Sequence, residues 1–207
     1  NFIKFLSQHT LEKKKSFTKK ELQNGNDEVV SIEGAALLMG ITGVELFLST
    51  EKDRSYPSNF IDYQKSGTGI WDIDIVESDS IMGLDPSTVY NVIRSDELGA
   101  LHVKDPVPFQ IPGDNDQTGV FFCSHPYTWA SSNTGLAVRG SGQDQYKIES
   151  FNVLSRGNSW ADACTRITDR LAVPPLGDFS GMPQISIYFY DGAECLRSLD
   201  ESAVGVS

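Results

Sequence analysis

The chain has 207 residues, of which 39% are hydrophobic and 22% charged, and its formal net charge is -11. This length and composition fit one globular domain and exclude a disordered chain. The negative charge would repel phosphate backbones, so we expect no nucleic-acid partner.

The N-terminal segment is basic, whereas the rest of the chain is acidic. Residues 1–22 contain six lysines and two glutamates, with apolar residues between them. This pattern predicts an amphipathic helix over residues 2–23 that ends at an Asn-Gly-Asn-Asp stretch. Such a helix suits a membrane surface or an acidic partner, although a solvated helix with its lysines in water has the same pattern.

Residues 29–48 form a long apolar run that contains Glu33, Glu45 and three glycines. A carboxylate in the middle of a bilayer costs several kcal/mol, so the run does not indicate a permanent membrane span. We predict a buried helix over about 31–40 and a strand over 43–49. The chain then divides into a helical segment, 1–42, and a β domain, 43–207.

The remaining elements are mostly strand-like. Short runs rich in Val, Ile and aromatic residues alternate with Gly, Pro, Asp and Asn, and this spacing predicts a β-sandwich of about ten short strands. The runs are residues 59–65, 69–76, 88–94, 99–103, 118–124 and 184–190. Residues 159–171 have a helical period, with Trp160, Cys164, Ile167 and Leu171 on one face, and predict a further helix.

Few residues indicate catalysis or metal binding. The three histidines form no metalloprotease motif, no phosphate-binding loop occurs, and the three cysteines match no zinc spacing. We therefore expect a protein that is not an enzyme and has no cofactor. Cys123, Cys164 and Cys195 are either buried thiols or one disulfide plus a free thiol. Asp72, Asp74, Glu77 and Asp79 are expected on an exposed strand face rather than in a calcium site.

Residues 118–140 contain the most informative pattern. A hydrophobic strand runs into Ser124, His125 and Pro126, followed by Tyr127 and Trp129. Proline lacks an amide donor and would end the strand, which places the two aromatic residues on a loop at the sheet edge. Amphipathic rings there suit a lipid headgroup or a sugar, although an ordinary turn with half-buried rings fits the same pattern.

This segment resembles the signature of the actinoporin-like family of pore-forming cytolysins, in which a strand ends in F-S-x-P-[YF]-x-Y. Looser similarities extend over about residues 44–191. They include the K-S-G-T stretch at 65–68 and residues 144–152, which resemble the family's tyrosine-bearing helix. The resemblance implies a β-sandwich flanked by an N-terminal helix and one or two further helices.

The resemblance also implies function: a secreted, oligomeric protein that binds a phosphocholine-type membrane lipid and inserts its N-terminal helix to form a pore. By position, the headgroup site includes Ser66, Ser124, Pro126, Tyr127 and Tyr146. Trp129 joins this predicted lipid- or sugar-binding site because it lies on the same aromatic loop. The membrane-inserting segment comprises Phe2, Ile3, Phe5 and Leu6. An aromatic cage attracts a quaternary ammonium by about 0.5–2 kcal/mol per ring.

Two other functions also fit the sequence: a lectin and a self-assembling structural protein. The family's loop is crowded with Trp and Tyr, whereas residues 130–135 here are polar and suit the hydroxyls of a glycan, as in a lectin of similar fold. The order Ser-His-Pro, then a Leu-Ala-Val strand, then a Cys-bearing helix resembles insect-virus polyhedrin, which would make the chain a self-assembling structural protein.

Overall fold

The computed structural model describes residues 17–22, 28–40, 43–55, 69–96, 100, 102–113, 117–125, 132–143, 145–157 and 161–193. These residues are mainly β-strand, which confirms the mainly-β class. The strands are β1 (Val29–Met39), β2 (Val44–Ser55), β3 (Gly69–Ser78), β4 (Tyr90–Ile93), β5 (His102–Gln110), β6 (Thr118–His125), β7 (Asn133–Arg139), β8 (Lys147–Leu154), β9 (Cys164–Val173) and β10 (Ile185–Ala193). Short 3-10 helices span Ile81–Gly83, Pro86–Thr88 and Gly177–Phe179.

The main sheet has the strand order β1-β2-β3-β5-β6-β7-β8, with β4 paired to β3, while β9 and β10 form a separate hairpin. In the described part of the chain, β3 and β5 share only the pair Trp71 and His102. This narrow connection lets the two halves of the sheet face each other. Phe47 and Ile73 from one half share a buried core with Phe122 from the other half.

The opposite face of β2 and β3 is also covered, and it buries charge. Asp72 and Asp74 are each 2% exposed. Asp72 pairs with Arg54, and Asp74 pairs with Lys52. The expectation that these carboxylates lie on an exposed strand face is therefore wrong, because buried carboxylates in a sheet persist only when they are paired and hydrogen-bonded.

Two predicted helices are strands in the structure. The stretch expected to be helical over 31–40 lies in β1, which pairs along its length with β2 and therefore belongs to the main sheet rather than to a separate N-terminal segment. Gly34 has a φ of 51°, a left-handed conformation that interrupts any helix there. The described part of residues 159–171 enters β9, whose Thr and Ile residues pair with β10.

The family's tyrosine-bearing helix has no counterpart either, because Lys147–Leu154 is strand β8. Most of the predicted N-terminal helix lies outside the described residues, and residues 17–22 form turns. Leu22 is fully buried and Phe17 packs beside it, in a cluster with Val29 and Val76. The end of the basic segment is thereby anchored to the outer side of β2 and β3.

Candidate functional site

Most of the residues expected to contact a membrane lie outside the described residues. These are Ser66, Pro126, Tyr127 and Trp129 of the headgroup site and Phe2, Ile3, Phe5 and Leu6 of the inserting segment. Their roles stay predictions.

The two described members of the expected headgroup site are buried and far apart. Ser124 is 5% exposed and Tyr146 is 8% exposed. The Tyr146 hydroxyl lies 2.8 Å from the hydroxyl of Thr118, at the opposite end of β6 from Ser124. A strand extends by about 3.4 Å per residue, so Ser124 lies about 20 Å from Thr118. The expectation that Ser124 and Tyr146 share one headgroup site is therefore wrong.

Tyr146 belongs instead to a charged cluster that ties the two halves of the sheet together. Arg139 on β7 donates to Glu45 on β2 and, at 2.7 Å, to Glu77 on β3. The Arg139 guanidinium lies 5.0 Å from the centre of the Tyr146 ring, and the Tyr146 hydroxyl donates to Glu45 at 3.0 Å. Burial, with the nearby Glu45 carboxylate, raises the pKa of Tyr146 above its ordinary value, so the phenol stays neutral.

The polar stretch 130–135, expected to form an exposed sugar-binding loop, is partly strand. Strand β7 begins at Asn133, and Ser132 and Thr134 are 3% and 1% exposed. The Thr134 hydroxyl accepts the amide of Ile167 at 3.2 Å, so it helps to hold the base of the hairpin. The described residues of this stretch therefore offer no open hydroxyl-binding surface.

The β9–β10 hairpin has two unlike faces. Directly opposed residues in an antiparallel pair point to the same side. Tyr188 and Arg170 are opposed and face the body, because the Tyr188 ring lies 5.5 Å from the Phe121 ring. The neighbouring pair, Ile187 and Leu171, therefore points away from the body. We call this the outer face of the hairpin; it comprises Leu171, Val173, Ile185, Ile187, Phe189 and the exposed Asp169, which is opposed to Phe189.

Apolar exposure continues into the connection between the two strands. The hairpin tip, residues 174–184, exposes Leu176 to 70%, Phe179 to 44% and Met182 to 48%. Most residues from 171 to 190 are exposed on both faces, so the distal hairpin projects from the body. The sequence contains a signal for this exposed apolar tip. Apolar side chains in a Pro- and Gly-rich turn are unusual, because turns are normally polar.

The described residues form neither a metal site nor a membrane-spanning helix. They contain no cluster of His, Cys, Asp or Glu that could hold a metal ion. No helix among the described residues has the length and apolar character needed to cross a bilayer.

The cysteine thiols provide a direct check on the packing. Cys123 is buried, Cys164 is half-buried, and neither forms a disulfide, while Cys195 lies outside the described residues. Burial, with Asp105 nearby, raises the pKa of the Cys123 thiol, and burial with Asp191 nearby raises that of Cys164.

We expect native Cys123 to react with iodoacetamide at pH 8 at least about tenfold more slowly than in urea, with Cys164 intermediate. Peptide mass spectrometry over time measures both rates; equal rates for Cys123 in the two conditions would contradict the packing.

Comparison with known proteins gives little further information. No protein-family model and no curated protein matches the chain. A solved structure described as a glycoside hydrolase aligns with a TM-score of 0.46 and 15% sequence identity. The alignment covers 80% of this chain and 50% of the other, so this chain spans about half the length of that protein.

Proposed function

We propose that this protein is a membrane-binding, pore-forming protein built on a β-sandwich, and that it docks on lipid through the outer face and tip of the β9–β10 hairpin. The observation that carries the proposal is the set of exposed apolar side chains on the outer face and tip of a projecting hairpin, a surface that also contains Asp169 and Asp178. The pore-forming step is proposed on the resemblance of residues 118–140 to the cytolysin signature.

A partner surface that buries the exposed apolar side chains would stabilise the hairpin. A two-stranded hairpin is marginally stable in water when it stands alone. Leu171, Ile187 and Phe189 are 52%, 44% and 49% exposed, and burying such a side chain completely gains about 1.5–3 kcal/mol. A surface that removes these residues and the tip from water would therefore stabilise both the hairpin and the complex.

The arrangement of residues along the hairpin favours lipid as that partner. Leu, Phe and Met occupy the tip, whereas Tyr188 and Tyr190 lie toward the base, each nearly half exposed. The strand from Ile185 to Tyr190 is about 17 Å long, close to one leaflet of a hydrocarbon core roughly 30 Å thick. Tyrosine rings prefer the headgroup level, so Leu176, Phe179 and Met182 would enter the lipid while the tyrosines stay at the interface. Burial of these apolar side chains has to offset the cost of moving Asp178, which also lies in the tip, out of water.

The charge of the chain defines the lipid class. The net charge is -11, so anionic membranes would repel the body of the protein. We therefore expect docking on zwitterionic phosphatidylcholine or sphingomyelin vesicles, with weaker binding as phosphatidylserine is added.

Vesicle co-sedimentation tests the docking surface. The triple variant Leu176→Ser, Phe179→Ser and Met182→Ser should bind phosphatidylcholine vesicles about 100-fold more weakly, because each side chain loses about 1 kcal/mol of burial in lipid. The matched control, Leu37→Ser with Met39→Ser, removes exposed apolar side chains from β1 and should bind normally.

Three outcomes decide the proposal. The same vesicles, loaded with a fluorescent dye, report pore formation. If the wild-type protein releases the dye and the tip variant loses both binding and release, the result supports a pore-forming protein. If the wild-type protein binds vesicles but releases no dye, the pore-forming step is wrong. A wild-type protein that forms dimers in lipid-free buffer through the same hairpin, and ignores vesicles, would replace lipid with a second copy of the chain.

A further inference from the structure

A polar cleft lies away from the hairpin, where the two halves of the sheet meet. Its volume is about 750 Å³. It is lined by Glu77 from the end of β3, Tyr90 and Asn91 from β4, Arg139 from β7, and Gln143, Gln145 and Tyr146. Sites for small molecules commonly have volumes of roughly 300–1,000 Å³, so the cleft has the size of a ligand site.

The lining consists mainly of planar hydrogen-bonding groups. Asn91, Gln143 and Gln145 contribute amides, each of which both donates and accepts hydrogen bonds. Gln143 and Gln145 are exposed and free of the core, whereas Asn91 is held in place: its amide nitrogen donates to Asp74 at 2.8 Å and to the carbonyl of Ile73 at 3.3 Å. The cleft thus combines two adaptable amides with the fixed amide of Asn91, whose carbonyl oxygen is left to accept from a ligand because both of its N–H groups are already used.

The charges that line the cleft are balanced within the protein. Arg139 pairs with Glu45 and Glu77, and Arg94 donates to both carboxylate oxygens of Asp96, at 3.0 and 2.9 Å. An anion such as phosphate would have to compete with these carboxylates for the guanidinium groups. The lining therefore favours an uncharged ligand.

The hydroxyl of Tyr90 and an apolar strip complete the lining of the cleft. Burial and a hydrogen bond to Glu77 raise the pKa of Tyr90 well above its ordinary value, so its phenol is a neutral hydroxyl. Val92 lies beside it in the lining, which gives the wall an apolar strip next to polar groups. A ring that presents hydroxyls at its edge and C–H groups on its faces matches this combination of amides and an aromatic wall.

We propose that this cleft binds a neutral saccharide, with the amides of Asn91, Gln143 and Gln145 and the hydroxyl of Tyr90 recognising sugar hydroxyls. This site is distinct from residues 130–135, where the sequence placed a glycan, and it is independent of hairpin docking on lipid. Binding of the saccharide requires no membrane, so the two proposals fail separately.

Isothermal titration calorimetry without vesicles tests the cleft. The probes are uncharged disaccharides (lactose, maltose, cellobiose and chitobiose) at millimolar concentration. We expect at least one to bind, and the double variant Gln143→Ala with Gln145→Ala to weaken it at least about tenfold. Because both glutamines are exposed, this variant should keep the wild-type unfolding midpoint. The hairpin-tip variant is the matched control and should bind the sugar normally.

The other outcomes overturn the proposal. Binding of none of the four disaccharides, or binding that the glutamine double variant leaves unchanged, would remove the cleft as a saccharide site. A preference for sulfated or sialylated versions over neutral ones would contradict the charge balance around Arg94 and Arg139.

Discussion

Replacing Asp74 by alanine is expected to lower the free energy of unfolding by about 3–5 kcal/mol. Asp74 accepts hydrogen bonds from Thr50 at 2.7 Å and from Asn91 at 2.8 Å, and it pairs with Lys52, which is 6% exposed. The alanine variant leaves the Lys52 ammonium buried without its carboxylate. An uncompensated buried charge costs more than the pair contributes, which is why the expected loss is large.

A double-mutant cycle separates the ion pair from the other contacts of Asp74. Lys52→Met alone removes the ammonium and leaves the carboxylate buried, so it should also destabilise. The double variant Lys52→Met with Asp74→Ala should lose clearly less than the sum of the single losses, because neither charge remains. Urea titrations give the free energies, and Asp74→Asn provides a milder variant if Asp74→Ala fails to fold.

A surface carboxylate gives the control for this cycle. Asp178 lies exposed in the hairpin tip, and Asp178→Ala should change stability by no more than about 0.5 kcal/mol. Additive losses in the Lys52 and Asp74 cycle, or a loss below about 1 kcal/mol for Asp74→Ala, would show that the pair is accessible to water.

Some strands could be predicted from the sequence alone. In these strands, apolar residues alternate with polar ones, or aromatic and β-branched residues follow one another closely. The runs at 69–76, 118–124 and 184–190 fall in β3, β6 and β10. Their side-chain chemistry is sufficient to indicate a strand, because it does not depend on which partner strand covers them.

The predictions that failed depended on distant partners. Residues 31–40 are rich in Ala and Leu, which favour a helix locally, yet pairing with β2 overrides this preference. The burial of Asp72 and Asp74 could not be predicted either, since the alternation along β3 suggests a half-exposed strand unless Lys52 and Arg54 of the neighbouring strand β2 are known to pair with these carboxylates. The resemblance grouped Ser124 with Tyr146, yet Tyr146 lies beside Thr118 at the other end of β6, because similarity in order along the chain does not determine which strand ends meet.

The second large loss of stability is expected from substitutions at Phe122 and Gly135, which pair across β6 and β7. Phe122 is 1% exposed in the main core, and the two residues are directly opposed on β6 and β7. The ring lies over the glycine so closely that a Cβ at position 135 would collide with it. Phe122→Ala should lower the free energy of unfolding by about 3–5 kcal/mol, because it leaves a cavity in a close-packed core.

Gly135→Ala should destabilise by about 1–3 kcal/mol for the opposite reason, since the added methyl group must displace the Phe122 ring. A smaller partner relieves this collision, so adding Gly135→Ala to a Phe122→Leu background should cost much less than adding it to the wild type. Gly157 has no atom within 4 Å of an added Cβ, and Gly157→Ala should leave stability within about 0.5 kcal/mol. Urea denaturation of the four proteins in the cycle measures the coupling. Equal costs of Gly135→Ala in both backgrounds would mean that the ring does not lie over the glycine and that the β6–β7 register is different.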